Sequence, residues 1–277
     1  MCAFLFFRVC FVRSHAPRTF LRFSSFLRKT KPFIVLITVF CCLLLQSANG
    51  ANPFVQLGLE SPEPLSKPIK AILLDLSFSP GSHGEMMSKI LSAGAPGIEQ
   101  SKVVCGAKLS HALRILESPQ SFSSHILLFG FGHSGFDQRE YEAVTKLLRQ
   151  GVVLVAPAGN GGTADHVFPS AYPGVISVAG LGKNGRIASF SSINSTVGLL
   201  APAENISLPG ITEGVSFSGT SYAAAAIAAM AAKLLASGTL PDQVLPRLLA
   251  SRTSDQILPL VGLPDMVTAL RAEDRWG

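Results

Sequence analysis

The stretch FSGTSYAAAAIAAMAA, residues 217–232, joins a Gly-Thr-Ser turn directly to an alanine-rich run that predicts a buried helix. Ser221 stands at the predicted start of this helix. Unpaired backbone N–H groups and the positive end of the helix dipole lie beside a hydroxyl in that position. Such a serine either caps the helix or acts as a nucleophile whose oxyanion those groups stabilise. The rest of the chain has to decide between the two roles.

Apolar runs of strand length alternate with helical patterns on both sides of this stretch. The predicted strands are 71–74, 102–104, 126–129, 152–156 and 175–179, and the predicted helices are 83–91, 108–116, 139–149 and 221–236. Such alternation predicts an α/β fold with a mostly parallel sheet and helices on both of its faces. The continuous apolar run VVLV at 152–155 agrees, because strands covered on both faces lose the polar and apolar alternation.

Three polar residues stand at the boundaries of these elements. Asp75 ends the first strand, and His83, within the segment Ser-His-Gly, begins the first helix. A buried carboxylate beside a histidine fixes the imidazole tautomer and stabilises the imidazolium that forms when the histidine takes a proton from a serine. Asn160 ends the strand that begins at Gly151, where its carboxamide is either a turn residue or a donor to a developing oxyanion.

In chain order, strand-Asp75, Ser-His83-Gly, strand-Ala-Gly-Asn160 and Gly-Thr-Ser221-helix resemble the subtilisin family of serine proteases. The resemblance covers about residues 70–270, and further blocks at 175–180, 188–192, 200–202 and 260–267 look like those of the family. It implies a three-layer subtilisin-like fold and a serine endopeptidase that forms an acyl-enzyme on a protein or peptide substrate without a cofactor. The roles it implies are orientation by Asp75, acid–base catalysis by His83, nucleophilic attack by Ser221 and oxyanion donation by Asn160.

The resemblance also implies two strands that wall the pocket for the residue before the scissile bond. A peptide would add to them as an extra strand. Neither wall offers a carboxylate, so a preference for basic residues is not expected. The implied wall residues are Gly130, Phe131, Gly132, Ala156, Pro157 and Ala158.

Several positions depart from the family pattern. Asp75 and His83 lie eight positions apart where the family has a longer insert, Tyr222 replaces the usual methionine, and Ala225 replaces the usual proline. A loop that holds calcium in related enzymes is short here, and its only carboxylates are Glu85 and Glu99. Because calcium takes about six to eight oxygen ligands, we expect no bound metal.

Two other functions remain open on the sequence. One is a relative of the family that binds peptides without hydrolysing them. The other is an esterase of the α/β-hydrolase type, since the segment GFGHSGF at 130–136 places Ser134 in a sequence close to a nucleophile elbow. Phe136 stands where that motif needs glycine for close strand–helix packing.

The N-terminal region differs in composition from the rest. Seven of the 23 Lys and Arg residues precede Glu60, which is the first acidic residue. The other 16 nearly balance the 17 Asp and Glu residues, so the chain after the leader has almost no net charge. This balance argues against nucleic acid as a partner. A basic stretch, an apolar run at 33–45 and small residues at Ala48 and Gly50 predict a signal peptide or membrane anchor over 1–50. The protein is therefore expected to be exported or membrane-anchored, although an Arg-rich, acid-free leader also resembles an organelle transit peptide.

The remaining length predicts a proline-rich linker over 51–69 and one peptidase domain over 70–277. Four of the five cysteines fall in the leader, so only Cys105 is left and no internal disulfide is expected in the mature chain. The physiological substrate and the oligomeric state do not follow from the sequence.

Overall fold

The computed structural model describes Phe54, Leu57, Leu59 and residues 63–105, 109–208, 215–258 and 261–264. The predicted leader, residues 1–50, lies outside them. The strands are β1 Lys70–Asp75, β2 Glu99–Val104, β3 Ile126–Phe129, β4 His133–Ser134, β5 Val153–Pro157, β6 Val167–Phe168, β7 Ile176–Leu181, β8 Leu199–Pro202, β9 Arg252–Leu258 and β10 Val261–Pro264. The helices are α1 His83–Gly94, α2 Leu109–Leu116, α3 Pro119–Phe122, α4 Gln138–Arg149, α5 Thr220–Ala236 and α6 Pro241–Ala250.

The main sheet has the strand order β2-β1-β3-β5-β7-β8-β10-β9. From β2 to β10 all neighbouring strands are parallel, and only β9 runs antiparallel to its neighbour β10. The prediction of a mostly parallel sheet is therefore confirmed. A separate two-stranded sheet joins β4 to β6, with His133 opposite Phe168 and Ser134 opposite Val167.

Successive residues of each central strand point to opposite faces of the sheet, and both faces are buried. On one face, Leu73, Leu128 and Val155 share a core with α1 and α5. On the other face, Leu74, Phe129 and their neighbours share a second core with α2 and α4. This is the predicted three-layer arrangement, and it explains why the strands read as continuous apolar runs.

Helix α5 is the central element of the first core. It contacts β3, β5, β7 and β8 from the face that it shares with α1, and 16 of its 17 residues are buried. Alanine at most of these positions lets the helix lie close to the sheet, because the side chain adds little beyond Cβ. The alanine-rich run thus fixes where the residue at the helix start, Ser221, lies relative to the strand ends.

The region predicted as a linker also contributes to this core. Phe54, Leu57 and Leu59 are buried and belong to the cluster formed by α1 and α5. Further along, the Lys233 ammonium donates to the carbonyl of Glu63 at 3.1 Å. These contacts attach the described part of 51–69 to the sheet domain.

No single helix in the described ranges is both long enough and apolar enough to cross a bilayer. Helices α5 and α6 pass that test of length and composition only as a pair, with a bend of 119° between them.

The carboxyl ends of β1 and β3 lie side by side at one edge of the sheet. Asp75 is the last residue of β1, and the strand register places Leu74 beside Phe129, so Asp75 lies next to Gly130 at the carboxyl end of β3. Ligands of parallel α/β sheets bind in the crevice outside these carboxyl ends.

Candidate active site

Asp75 and His83 form a close pair. The Oδ2 atom of Asp75 lies 2.6 Å from Nδ1 of His83, and the other carboxylate oxygen accepts the backbone N–H of Leu76 at 2.7 Å. The Asp75 side chain is only 4% exposed, whereas that of His83 is 39% exposed. A buried carboxylate held from two sides fixes the orientation of the imidazole and leaves its Nε2 atom facing outward.

The short connection between β1 and α1 is what allows this pairing. Ser82 caps α1 by accepting the N–H of Glu85, and its hydroxyl donates to the carbonyl of Ser77 at 3.0 Å. His83 is therefore the first residue of the helix. The next position, Gly84, requires glycine, because a Cβ there would lie 2.7 Å from Cβ of Asp75. The eight-residue spacing thus suffices to close the turn.

Ser221 lies in the first turn of α5 and is 4% exposed. Its hydroxyl donates to the carbonyl of Gly130 at 3.5 Å, which is long for such a bond. Among the described residues, no hydrogen bond joins Ser221 to His83, although both line the same cleft. The weak bond to Gly130 restrains the hydroxyl little.

Tyr222 packs directly against the imidazole of His83. The two ring centroids are 5.2 Å apart, and the Tyr222 ring also contacts Phe217 at 5.8 Å. Burial raises the pKa of the Tyr222 phenol, and the nearby charge of Asp75 raises it further. The phenol therefore stays neutral, and its ring forms an apolar support for His83.

Asn160 is oriented by the residue before Ser221. The Oδ1 atom of Asn160 accepts both the backbone N–H and the hydroxyl of Thr220, each at 2.9 Å. Since the amide oxygen is fully engaged, the Nδ2 group points away from Thr220 as a donor. Gly159 places the amide there with a φ of 107°, a conformation that favours glycine, and a Cβ at that position would approach Val167.

These residues line one cleft of about 340 Å³. The lining comprises His83, Gly130, Phe131, Gly132, His133, Ser134, Pro157, Gly159, Asn160, Val167, Thr220 and Ser221. Of the wall residues that the resemblance implied, Ala156 and Ala158 do not line the cleft, because both are fully buried at the end of β5. Asn160, Ser221 and His83 therefore all line the same cleft.

The geometry around Ser134 differs from that of a nucleophile elbow. Ser134 belongs to the short strand β4, and the next helix starts only at Gln138, capped by Asp137. The ring of His133 contacts the carbonyl of Ser134 at 3.3 Å and not its hydroxyl. No base therefore activates Ser134 among the described contacts.

A polar pair behind the cleft was not predicted from the sequence. His133, at the cleft surface, bonds to the fully buried Glu140 of α4, and the same carboxylate accepts the hydroxyl of Tyr172 at 2.8 Å. Glu140 looks like an ordinary helix-surface residue in the sequence. Only the presence of a histidine seven residues earlier hints at a partner.

A second contact between a serine and a histidine lies elsewhere. Ser195 Oγ and His166 Nε2 are 3.4 Å apart in exposed loops, and neither residue lines the cleft. Its length and exposure make it a surface contact.

We predict that a chelator will not destabilise the protein. The described residues contain no cluster of three or more His, Cys, Asp or Glu side chains that could hold a metal ion. Since a ligand stabilises only a state that it binds, EDTA is expected to leave the melting temperature unchanged. Thermal denaturation with EDTA and with calcium-saturated EDTA tests this prediction. A lower melting temperature with EDTA alone, restored by calcium, would contradict it.

Known proteins resemble mainly one segment of the chain. Residues 129–241 match the model of the subtilase family. The thermostable alkaline protease of Halalkalibacterium halodurans is 34% identical over 100 residues, which are 36% of this chain and 28% of that protein. Subtilisin NAT of Bacillus subtilis subsp. natto is 38% identical over 86 residues, which are 29% of this chain and 22% of that protein. The matched segment thus spans about a quarter of each relative's length.

Solved structures extend the likeness beyond that segment. The prenylagaramide maturation protease PagA superposes with a TM-score of 0.64 over 79% of this chain and 98% of its own, at 21% identity. Such a likeness concerns the fold. The predicted resemblance to the subtilisin family is therefore confirmed as a similarity, because residues 129–241 match the subtilase family model and the fold is shared with a solved protease.

Proposed function

We propose that this protein is a serine endopeptidase that hydrolyses peptide bonds through Asp75, His83 and Ser221. The observation that carries the proposal is the convergence of the Asp75–His83 pair, Ser221 and the Asn160 amide on one cleft. These residues come from four separate places in the chain. No structural need of the fold requires a buried carboxylate, an imidazole, a hydroxyl and an amide donor to meet there, whereas acyl transfer needs all four.

The family match supports only part of this set. It begins at residue 129 and so includes Asn160 and Ser221, while Asp75 and His83 lie before it. Their assignment rests on the 2.6 Å contact and on their position at the carboxyl ends of the parallel strands. The two lines of support are therefore independent.

The residues suggest the following sequence of steps. The Ser221 hydroxyl turns from Gly130 toward Nε2 of His83, gives up its proton there and attacks the substrate carbonyl carbon. The oxyanion accepts hydrogen bonds from Nδ2 of Asn160 and from the backbone N–H of Ser221 at the helix start. His83 then donates the proton to the leaving amine as the C–N bond breaks. A water molecule, activated by His83 in the same way, hydrolyses the acyl-enzyme.

The substrate would be a protein or peptide in extended conformation. Residues 130–132 leave β3, line the cleft and carry two glycines, so their backbone is open to pairing with an added strand. At Gly132 a Cβ would meet Val167, and at Gly130 it would meet the Asp75 carboxylate. Glycine at both positions is therefore required by the site itself.

Covalent labelling tests the proposed nucleophile. A fluorophosphonate probe is expected to modify the protein, and peptide mapping should locate the label on Ser221, because only an activated serine attacks phosphorus at a useful rate. Label on Ser134 would favour the esterase instead. Failure to label, with retained peptide binding, would favour a binding protein, a possibility consistent with the absence of a hydrogen bond between Ser221 and His83 among the described contacts.

We further propose that the protein acts outside the cytoplasm or at a membrane. The support is the order of basic, apolar and small residues over 1–50, which lies outside the described residues. Cell fractionation with N-terminal sequencing of the recovered protein tests this proposal. Recovery in the cytoplasm with an intact N-terminus would contradict it.

A further inference from the structure

The wall of the cleft beyond Gly132 contains a histidine held from behind by a buried carboxylate. The Nε2 atom of His133 lies 3.0 Å from Oε2 of Glu140. The His133 side chain is 30% exposed and Glu140 is fully buried, so only the imidazole reaches the cleft. The Phe168 ring stacks on the imidazole with centroids 6.3 Å apart and fixes its plane.

The negative charge of the buried Glu140 carboxylate is poorly compensated unless His133 carries a positive charge. One carboxylate oxygen serves both His133 and Tyr172, whereas the other, Oε1, is buried and has no hydrogen-bond partner among the described residues. A buried carboxylate in such a place is costly unless a cation lies beside it. The arrangement therefore favours the protonated imidazole.

The pair as a whole is neutral, but its positive end faces the cleft. Of the residues that line the cleft, only His83 and His133 have side chains that can carry a charge, and that charge is positive. The Nδ1 atom of His133 lies 3.3 Å from the carbonyl of Ser134, a long contact that a stronger acceptor can displace. The exposed Ser134 hydroxyl has no hydrogen-bond partner among the described residues, so a second donor is available.

We propose that His133 and Ser134 form a substrate subsite that selects an acidic side chain upstream of the scissile bond. This proposal rests on the proposed function for the direction of the bound peptide. A carboxylate of the substrate accepts the Nδ1–H of His133 and the hydroxyl of Ser134. The carboxylate of Glu140, on the far side of the ring, holds the imidazole in its cationic form.

The selection depends on pH through His133. The hydrogen bond to Glu140 raises the pKa of His133 above its ordinary value, and the charge of Asp137 adds to the effect, while burial partly opposes it. Glu140 of α4 contacts the ring, the charge of Asp137 at the cap of α4 acts on it, and β6 contributes the uncharged Phe168. The preference is therefore present at acidic and near-neutral pH and is lost as the pH rises through this raised pKa.

Peptide binding to the full-length Ser221→Ala protein tests the subsite without hydrolysis. Calorimetry compares pairs of peptides that differ only by Glu or Gln at one of the four positions before the bond to be cleaved. At one position and pH 5.5, we expect the Glu peptide to bind about three to ten times more tightly, the range for a partly exposed ion pair with a hydrogen bond. At about pH 9 the ratio should approach one.

Three further substitutions decide the origin of the preference. His133→Gln keeps a donor toward Glu140 but has no charge, so the ratio should be near one at every pH. His166→Gln, at an exposed histidine outside the cleft, should retain the full ratio. Glu140→Gln should move the loss of preference to lower pH, and if this variant does not fold, the His133→Gln result decides alone.

A ratio near one at all four positions at pH 5.5, absence of binding by any peptide, or a preference that survives His133→Gln overturns the proposal. Failure of the subsite is distinguishable from failure of the proposed function, because the latter is judged by probe labelling of Ser221 in the unsubstituted protein. Labelled Ser221 with equal binding of the two peptides overturns only the subsite.

Discussion

Replacement of Ser221 by alanine is expected to reduce peptide hydrolysis on the order of a millionfold, the loss seen when the nucleophile of such a triad is removed. The change removes one hydroxyl whose described hydrogen bond, to Gly130, is 3.5 Å long. The remaining backbone donor and Asn160 cannot form an acyl-enzyme without a nucleophile. Steady-state hydrolysis of a chromogenic peptide, at equal concentrations of the purified proteins, measures the effect.

The melting temperature should change little in this variant. Ser221 is a helix residue with a weak side-chain bond, and alanine is the best helix former. Ser195→Ala is the matched control, because Ser195 also contacts a histidine, His166, but in exposed loops. The control should keep the full rate. Hydrolysis that survives in the Ser221→Ala protein at an undiminished rate would refute the proposed function.

Much of the fold followed from sequence, because burial leaves a pattern in many of its elements. Each predicted strand and helix overlaps an element of the same type, because strands covered on both faces and the almost fully buried α5 have long apolar runs. The two-residue strands β4 and β6 lack such a run and were not predicted. Helix α6 contains Pro246, which normally signals a break, and it was missed for that reason.

The candidate site, like the fold, was predictable from sequence only in part. Asp75, His83, Asn160 and Ser221 stand at strand ends and helix starts, which sequence patterns locate. Side-chain partnerships across the fold leave no such trace. The burial of Glu140 depends on β4 and on Tyr172, which is 32 residues away along the chain. The pairing of Asn160 with Thr220 joins residues 60 positions apart.

That pairing determines how the oxyanion donor works. Thr220 is fully buried, and its N–H and hydroxyl both donate to Oδ1 of Asn160, so the amide is held with its oxygen toward Thr220 and its Nδ2 group on the opposite side. Donors that are oriented before the reaction need no reorganisation as charge develops on the substrate oxygen. Asn160 is thus tied through Thr220 to the nucleophile that follows it, and the two oxyanion donors keep a fixed separation.

Replacement of Asn160 by alanine is expected to lower kcat by about a hundredfold to a thousandfold and to leave KM nearly unchanged, because the lost hydrogen bond forms mainly in the transition state. Alanine also leaves the Thr220 donors without their acceptor. Asn160→Asp separates the two effects, since it restores an acceptor for Thr220 but has no N–H for the oxyanion. We expect the aspartate variant to lose at least as much kcat while it melts closer to the unsubstituted protein than the alanine variant does. Steady-state kinetics and thermal denaturation of both variants measure these effects, and an effect confined to KM would show that Asn160 only shapes the turn after β5.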